Sequence, residues 1–126
     1  MMDIGNLTAK NSFVNLRHPG TDEELGLVFE MRPRYSDEVQ AVNDKFEATF
    51  DKKRGKKPSR AEMRRHSISI ILASVCGWEW QDDELTFNGE QPEYSRDTLK
   101  QWLKDYPWML EFFSTEFADD SNFFTD

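Results

Sequence analysis

The segment SRAEMRRHSISIILASVCG, Ser59 to Gly77, constrains this chain more than any other. Its start carries the Ser59-x-x-Glu62 spacing of a capping box, in which a hydroxyl and a carboxylate each satisfy a backbone N–H at a helix N-terminus. Its end is marked by Gly77, a residue that takes left-handed backbone readily just past a helix. The spacing predicts a helix from Arg60 to about Cys76. The first half is amphipathic and basic, with Met63 facing inward. The second half, Ile68 to Val75, is apolar almost all round, and such a helix has to be contacted from several sides. The rest of the chain is expected to wrap it, which makes this helix the core.

The other elements follow from local signals. NSFVNLRHPGTDEELGLVFEMRP reads as two short strands: Phe13, Val14 and Leu16 lead to the His18-Pro19-Gly20 turn, and Leu25, Leu27, Phe29 and Met31 alternate onto one face before Pro33 stops the strand. A lone hairpin is marginal in water, so residues 11–33 must pack on the helices. Ser36 suits an N-cap with Asp37 and Glu38 in the first turn, and Val39, Val42, Phe46 and Phe50 then form an apolar stripe. Residues 51–58, with Gly55 and Pro58 among basic side chains, read as an exposed loop. Asn88-Gly89 marks a tight turn rather than a long hairpin. Ser95 caps a helix whose Leu99, Trp102, Leu103 and Tyr106 share a face, and Pro107 disfavours helix at Tyr106 while opening a last helix. That helix carries Trp108, Met109, Phe112, Phe113 and Phe117, and residues 119–126 read as a mobile tail. The expected fold is mainly α (α+β): an N-terminal hairpin packed on a small bundle of about four helices, residues 36–118, in a single domain spanning 1–126.

At 126 residues such a domain needs neither metal nor disulfide to fold. Its lone cysteine, Cys76, has no internal partner and lies in an apolar run, which favours a buried thiol in a reducing compartment. The opening residues lack the basic start and apolar stretch of a signal peptide, and the longest strongly apolar run, ISIILASVC, is far too short to span a membrane. A soluble protein of the cytoplasm, without membrane contact, is expected. The net charge of −8 hides a division. Residues 1–50 carry five basic and nine acidic groups, residues 51–66 eight and two, and residues 67–126 three and thirteen. A basic hinge joins two acidic parts.

Catalytic and metal-binding patterns are not apparent. His18 and His66 stand in no ligand spacing, and the apolar neighbours of Cys76 would suppress its thiolate. Asp82, Asp83 and Glu84 lack the order of a calcium loop and read as a solvated connection. The glycines are too scattered to cradle a phosphate. No cofactor, metal or enzymatic activity is expected. The basic patch is a stronger lead: Lys52, Lys53, Arg54, Lys56 and Lys57, continued by Arg60, Arg64 and Arg65, could neutralise phosphates, giving a small nucleic-acid-binding protein as the alternative reading. Nucleic acid is disfavoured because no aromatic is interleaved for base stacking, and an acidic protein partner fits the run as well.

All four tryptophans fall between Val75 and Leu110. Aromatics at helical spacing are usually core, but four Trp and ten Phe are many for so small a fold, and a surplus suits an apolar protein-binding face. In series, FVNLRHPGTDEELGLVFEMRPRYSDEV and LASVCGWEWQDDELTFNGEQPEYSRDTLKQWLKDYPWMLEFF resemble the tail assembly chaperones of long-tailed, siphovirus-type phages and prophages. The likeness lies in a strand ending at a His-Pro turn, a second strand, a Ser-led helix, a Gly-Trp, and a capped helix running into Tyr-Pro-Trp. The basic insertion around Gly55 departs from it. The resemblance implies a non-enzymatic protein of virion assembly that coats the helical tape-measure protein and recruits tail-tube subunits, often through a longer frameshifted form, this chain being the shorter one. Self-association is left open. On this reading the exposed parts of Trp102, Trp108, Phe112, Phe113 and Phe117 are expected to form the partner groove, and serine at Phe113 and Phe117 to abolish solubilisation of the tape-measure protein without unfolding the domain.

Overall fold

In the computed structural model, which describes residues 3–51 and 57–124, the capping box closes. Ser59 Oγ accepts from Glu62 N at 3.1 Å and the Glu62 carboxylate accepts from Ser59 N at 3.2 Å, opening helix α2 (Arg60–Ser74). The helix stops short of Gly77. At Val75 the backbone swings to φ −73°, ψ 119°, and the chain continues without a loop as a strand, β3 (Val75–Trp80). Gly77 is therefore a strand residue, and the hairpin of β1 (Ser12–Arg17) and β2 (Glu24–Met31) becomes two-thirds of an antiparallel sheet in the order β1-β2-β3. Its inward residues Val75, Trp78 and Trp80 do not alternate strictly, because the strand bulges between Val75 and Gly77, and the apolar helix preceding them hid the strand.

Three hydrogen bonds hold the join. Arg32 N donates to Ser74 O at 2.7 Å, the Arg32 guanidinium donates to Ala73 O at 2.9 Å, and Ser74 Oγ donates to Arg32 O at 2.6 Å. They satisfy two of the carbonyls that any helix C-terminus leaves without intrahelical partners. They also leave Ser74, the one buried polar side chain among the described residues, fully paired.

The fold is α+β. Val14 and Leu16 of β1, Leu27, Phe29 and Met31 of β2, and Val75 of β3 point to one face of the sheet, with Phe29 opposite both Val14 and Trp78. This face joins Ile68, Ile71 and Leu72 of α2 in one continuous core with helices α3 (Arg96–Asp105) and α4 (Pro107–Ala118), which contribute Leu99, Trp102 and Leu103, and Met109 and Phe113. Helix α1 (Asp37–Asp51) packs on another flank of α2 through Val39, Ile70 and Ala73. Thus α2 touches all three other helices and β3, as an all-round apolar helix must. Its Met63, expected inside, is 46% exposed, because α1 covers the His66–Ile70 flank and not the outer face of the first turns.

Local punctuation behaves as the residue types dictate. Ser36 and Ser95 cap α1 and α3, accepting from Val39 N at 3.4 Å and Thr98 N at 3.1 Å. His18 Nδ1 accepts from Gly20 N and Thr21 N, tying the six-residue connection between β1 and β2. Asn88 and Gly89 both take positive φ, with Phe87 and Glu90 bridged across them. The end of the chain differs from expectation: residues 119–124 are docked, not frayed. Phe123 is 1% exposed, its carbonyl accepts from Lys10 N at 2.8 Å, and Asp120 pairs with Arg34 at 2.6 Å. Burial of one phenyl ring supplies what a polar tail lacks.

Truncating either central ring removes apolar contacts and leaves a void. Trp102→Ala and Phe113→Ala are each expected to cost about 3–5 kcal/mol of stability, read as a lower midpoint in urea denaturation followed by circular dichroism.

Candidate functional site

The tryptophans build outward from the core. Trp102 lies flat between Trp78 (centroids 4.7 Å apart, planes 18°) and Phe87 (4.6 Å, 24°), while Phe29 meets both Trp78 and Phe113 edge-on. The indole N–H groups of Trp78 and Trp80 both donate to Pro92 O, at 2.9 and 2.8 Å. One carbonyl thus pulls the β3–α3 connection back over the sheet edge and satisfies two partly buried donors.

This arrangement divides the five aromatics expected to share a partner groove. Trp102 is 4% exposed and Phe113 not at all, so both are core and neither offers a surface. Serine at Phe113 would place a hydroxyl in the core, so that substitution does not leave the domain intact as expected. Trp108, Phe112 and Phe117 are half-buried. Phe117 turns toward α1, packing against the cluster of Val39, Ile70 and Ala73. Trp108 and Phe112, one turn apart on α4, remain together at a surface.

Trp108 stands between two hollows. On one side, an almost wholly apolar cavity of about 160 Å³ is lined by Leu25, Leu27, Trp80, Leu85, Phe87 and Met109 as well as Trp108. On the other, a shallow cleft of about 310 Å³ runs between α4 and the β1–β2 turn, lined by Trp108, Phe112 and Glu111 against Arg17, His18 and Asp22. Leu85 and Phe87 were missed as site residues from sequence. Their signal is the Leu-x-Phe alternation just before Asn88-Gly89.

The rim is acidic. Asp22 and Glu111 edge the cleft, and Asp83 and Glu84 lead into Leu85. Gly26, at φ 97°, allows this: a Cβ there would lie 2.7 Å from the Asp82 Cβ, and Gln81 N donates to Gly26 O at 2.7 Å. The acidic loop is thereby pressed against β2 beside the cavity. Among the described residues no group of three or more His, Cys, Asp or Glu is placed to hold a metal ion, and no helix is long and apolar enough to cross a membrane.

Of the basic patch, Lys52, Lys53, Arg54 and Lys56 lie outside the described residues. Lys57, Arg60, Arg64 and Arg65 are all exposed at the start of α2, and none forms an ion pair among the described residues. The structure thus separates a basic helix end from an apolar, acid-rimmed cleft. Cys76 is the extra residue where β3 bulges against β2, bonded weakly to Glu30 O, and burial raises its thiol pKa, which keeps it protonated. No protein-family model matches the chain, and neither a curated protein nor a solved structure is similar to it.

His66 locks α1 to α2. Its ring stacks on Phe46 at 3.8 Å and its Nε2 meets Asn43 Oδ1 at 3.1 Å, in a hollow that also holds Lys45, Arg65 and Arg96. Burial lowers its pKa below the ordinary 6.5, so the folded state favours the neutral ring. The unfolded chain then binds the extra proton first, and the contribution present above the unfolded pKa is lost as pH falls through the folded value. Thermal melts between about pH 7.5 and about pH 5.5 are expected to show the wild type losing stability relative to His66→Phe, which cannot titrate.

Proposed function

We propose that this protein is a non-enzymatic assembly chaperone that covers an apolar helical partner through the cleft flanking Trp108. In the terms of the family its sequence resembles, that partner is a phage tape-measure protein, bound in the cytoplasm of the bacterial host, with tail-tube subunits recruited afterwards. The observation that carries the reading is the pair Trp108 and Phe112, half-buried one turn apart, with Trp108 between two hollows and Asp22, Glu111 and Glu116 edging the cleft that both line. An apolar centre with a polar rim is the anatomy of a protein interface. Anchors three and four residues apart on an amphipathic helix fit a groove of this kind. Shallow hollows and an acidic rim suit reversible capture, which a chaperone displaced by polymerising subunits requires, and the negative charge keeps the coated partner soluble.

The experiment is co-expression with the long helical tape-measure candidate from the same genome, followed by sizing of the soluble fraction with light scattering. A large soluble complex holding many copies of this chain is expected. Trp108→Ser with Phe112→Ser should return the partner to the pellet while the circular dichroism of the chaperone stays that of a folded domain. Each truncation is expected to cost about 2 kcal/mol of binding, the scale of an interface anchor. A partner left insoluble by the unsubstituted chain overturns the function, and a doubly substituted chain that still solubilises it moves the site away from α4.

A further inference from the structure

Met63 is a large apolar side chain that the fold leaves 46% exposed, on a helix end that is otherwise strongly basic. Arg60 lies one turn before it and Arg64 next to it, all three exposed, so the first turns of α2 present an apolar tip between two guanidinium groups. No described carboxylate neutralises those groups within the same chain. The cavity beside Trp108 has the complementary chemistry. It is apolar and partly open, and Asp83 and Glu84, both exposed, immediately precede Leu85 of its lining. Its volume of about 160 Å³ is close to that of dry apolar cavities that take up a benzene-sized group (about 150 Å³), which is room for one unbranched side chain such as methionine.

We infer that the cavity receives Met63 of a second copy of this chain, with Arg60 and Arg64 of that copy facing Asp83 and Glu84. The occupant is identified by charge: residues 51–66 carry eight basic and two acidic groups, residues 67–126 three and thirteen, so the best complement to the acidic rim is the same chain's own helix end. Because the two surfaces are different patches of one molecule, the contact is head-to-tail. It repeats from copy to copy, and closes only if the rotation per step returns on itself. A single anchor with exposed charge pairs gives weak, salt-sensitive association, and the inference does not depend on what else the cleft binds.

Sedimentation velocity over a range of protein concentrations is the test. At about 0.05 M salt the average mass is expected to rise with concentration, and at about 0.5 M salt to fall to that of the monomer. Met63→Ser, Arg60→Glu with Arg64→Glu, and Asp83→Lys with Glu84→Lys alter exposed side chains only, so each variant should keep the wild-type circular dichroism. Each is expected to weaken self-association by roughly tenfold or more. The decisive arm mixes the two charge-reversed variants: each alone stays monomeric, and the mixture associates again, because the acidic helix end of one meets the basic rim of the other and the native helix end of the second meets the native rim of the first. A wild-type chain that is monomeric at low salt overturns the inference. So does association indifferent to Met63 and to both reversals, which would place the contact on another surface, such as the exposed Leu7–Tyr35–Phe124 patch. A monomer whose Arg60 and Arg64 are needed to bind duplex DNA would make the basic helix end a nucleic-acid surface instead.

Discussion

Everything in this fold hangs on the place where helix α2 becomes strand β3. Ser74 is the last helical residue and Val75 the first of the strand, with no connecting loop to absorb error. A helix end buried under a sheet exposes carbonyls to a medium without water, and each one left unpaired is costly. Arg32 resolves this from the end of β2, taking the carbonyls of Ala73 and Ser74 with its guanidinium and backbone N–H while its own carbonyl accepts from the Ser74 hydroxyl. The same contact sets Val75 beside Met31, and so sets the register that places Trp78 opposite Phe29 and Trp80 opposite Leu27. One polar join therefore determines which side chains of β3 reach the core.

From that register the aromatic layer follows. Trp78 on the sheet and Trp102 on α3 stack, Phe87 closes the far side of Trp102, and Pro92 O collects both indole donors of β3. Pro107 keeps Tyr106 out of helical geometry, at φ −123°, ψ 85°, so α3 ends at Asp105 and the chain restarts as α4. This restart turns Met109 and Phe113 inward and leaves Trp108 and Phe112 at the surface. The aromatic residues thus serve two purposes. An inner set makes the core, and an outer pair lines a cleft edged by Asp22, Glu111 and Glu116.

The charge division has a structural counterpart. The described residues of the basic patch, Lys57, Arg60, Arg64 and Arg65, are exposed at the start of α2, whereas Asp22, Glu111 and Glu116 edge the cleft beside Trp108 together with Arg17. Surface ion pairs within the chain are few among the described residues, and each joins side chains that are substantially exposed. These pairs contribute little to stability.

Signals that act within a few residues were legible in the sequence: the capping box at Ser59 and Glu62, the serine caps at Ser36 and Ser95, the His18 turn, the Asn88-Gly89 turn, the alternation of β2 and the break at Pro107. Each is decided by a side chain and backbone groups within about one helical turn, so tertiary context had little to override. The end of α2, the third strand, the docked Phe123, and the split between Trp102 and Phe113 inside and Trp108 and Phe112 outside were not legible. VCGWEW continues a helix or forms a strand equally well until β2 offers it an unpaired edge and Arg32 caps what precedes it. Likewise, residues three and four apart on one helix look alike in a sequence, and burial goes to whichever of them the sheet covers. The sequence by itself determined where the helices start and which strand face is apolar, because those are local properties of the chain. Only the tertiary structure decided which aromatics stay at the surface, because exposure belongs to the neighbours a side chain finds and not to the side chain.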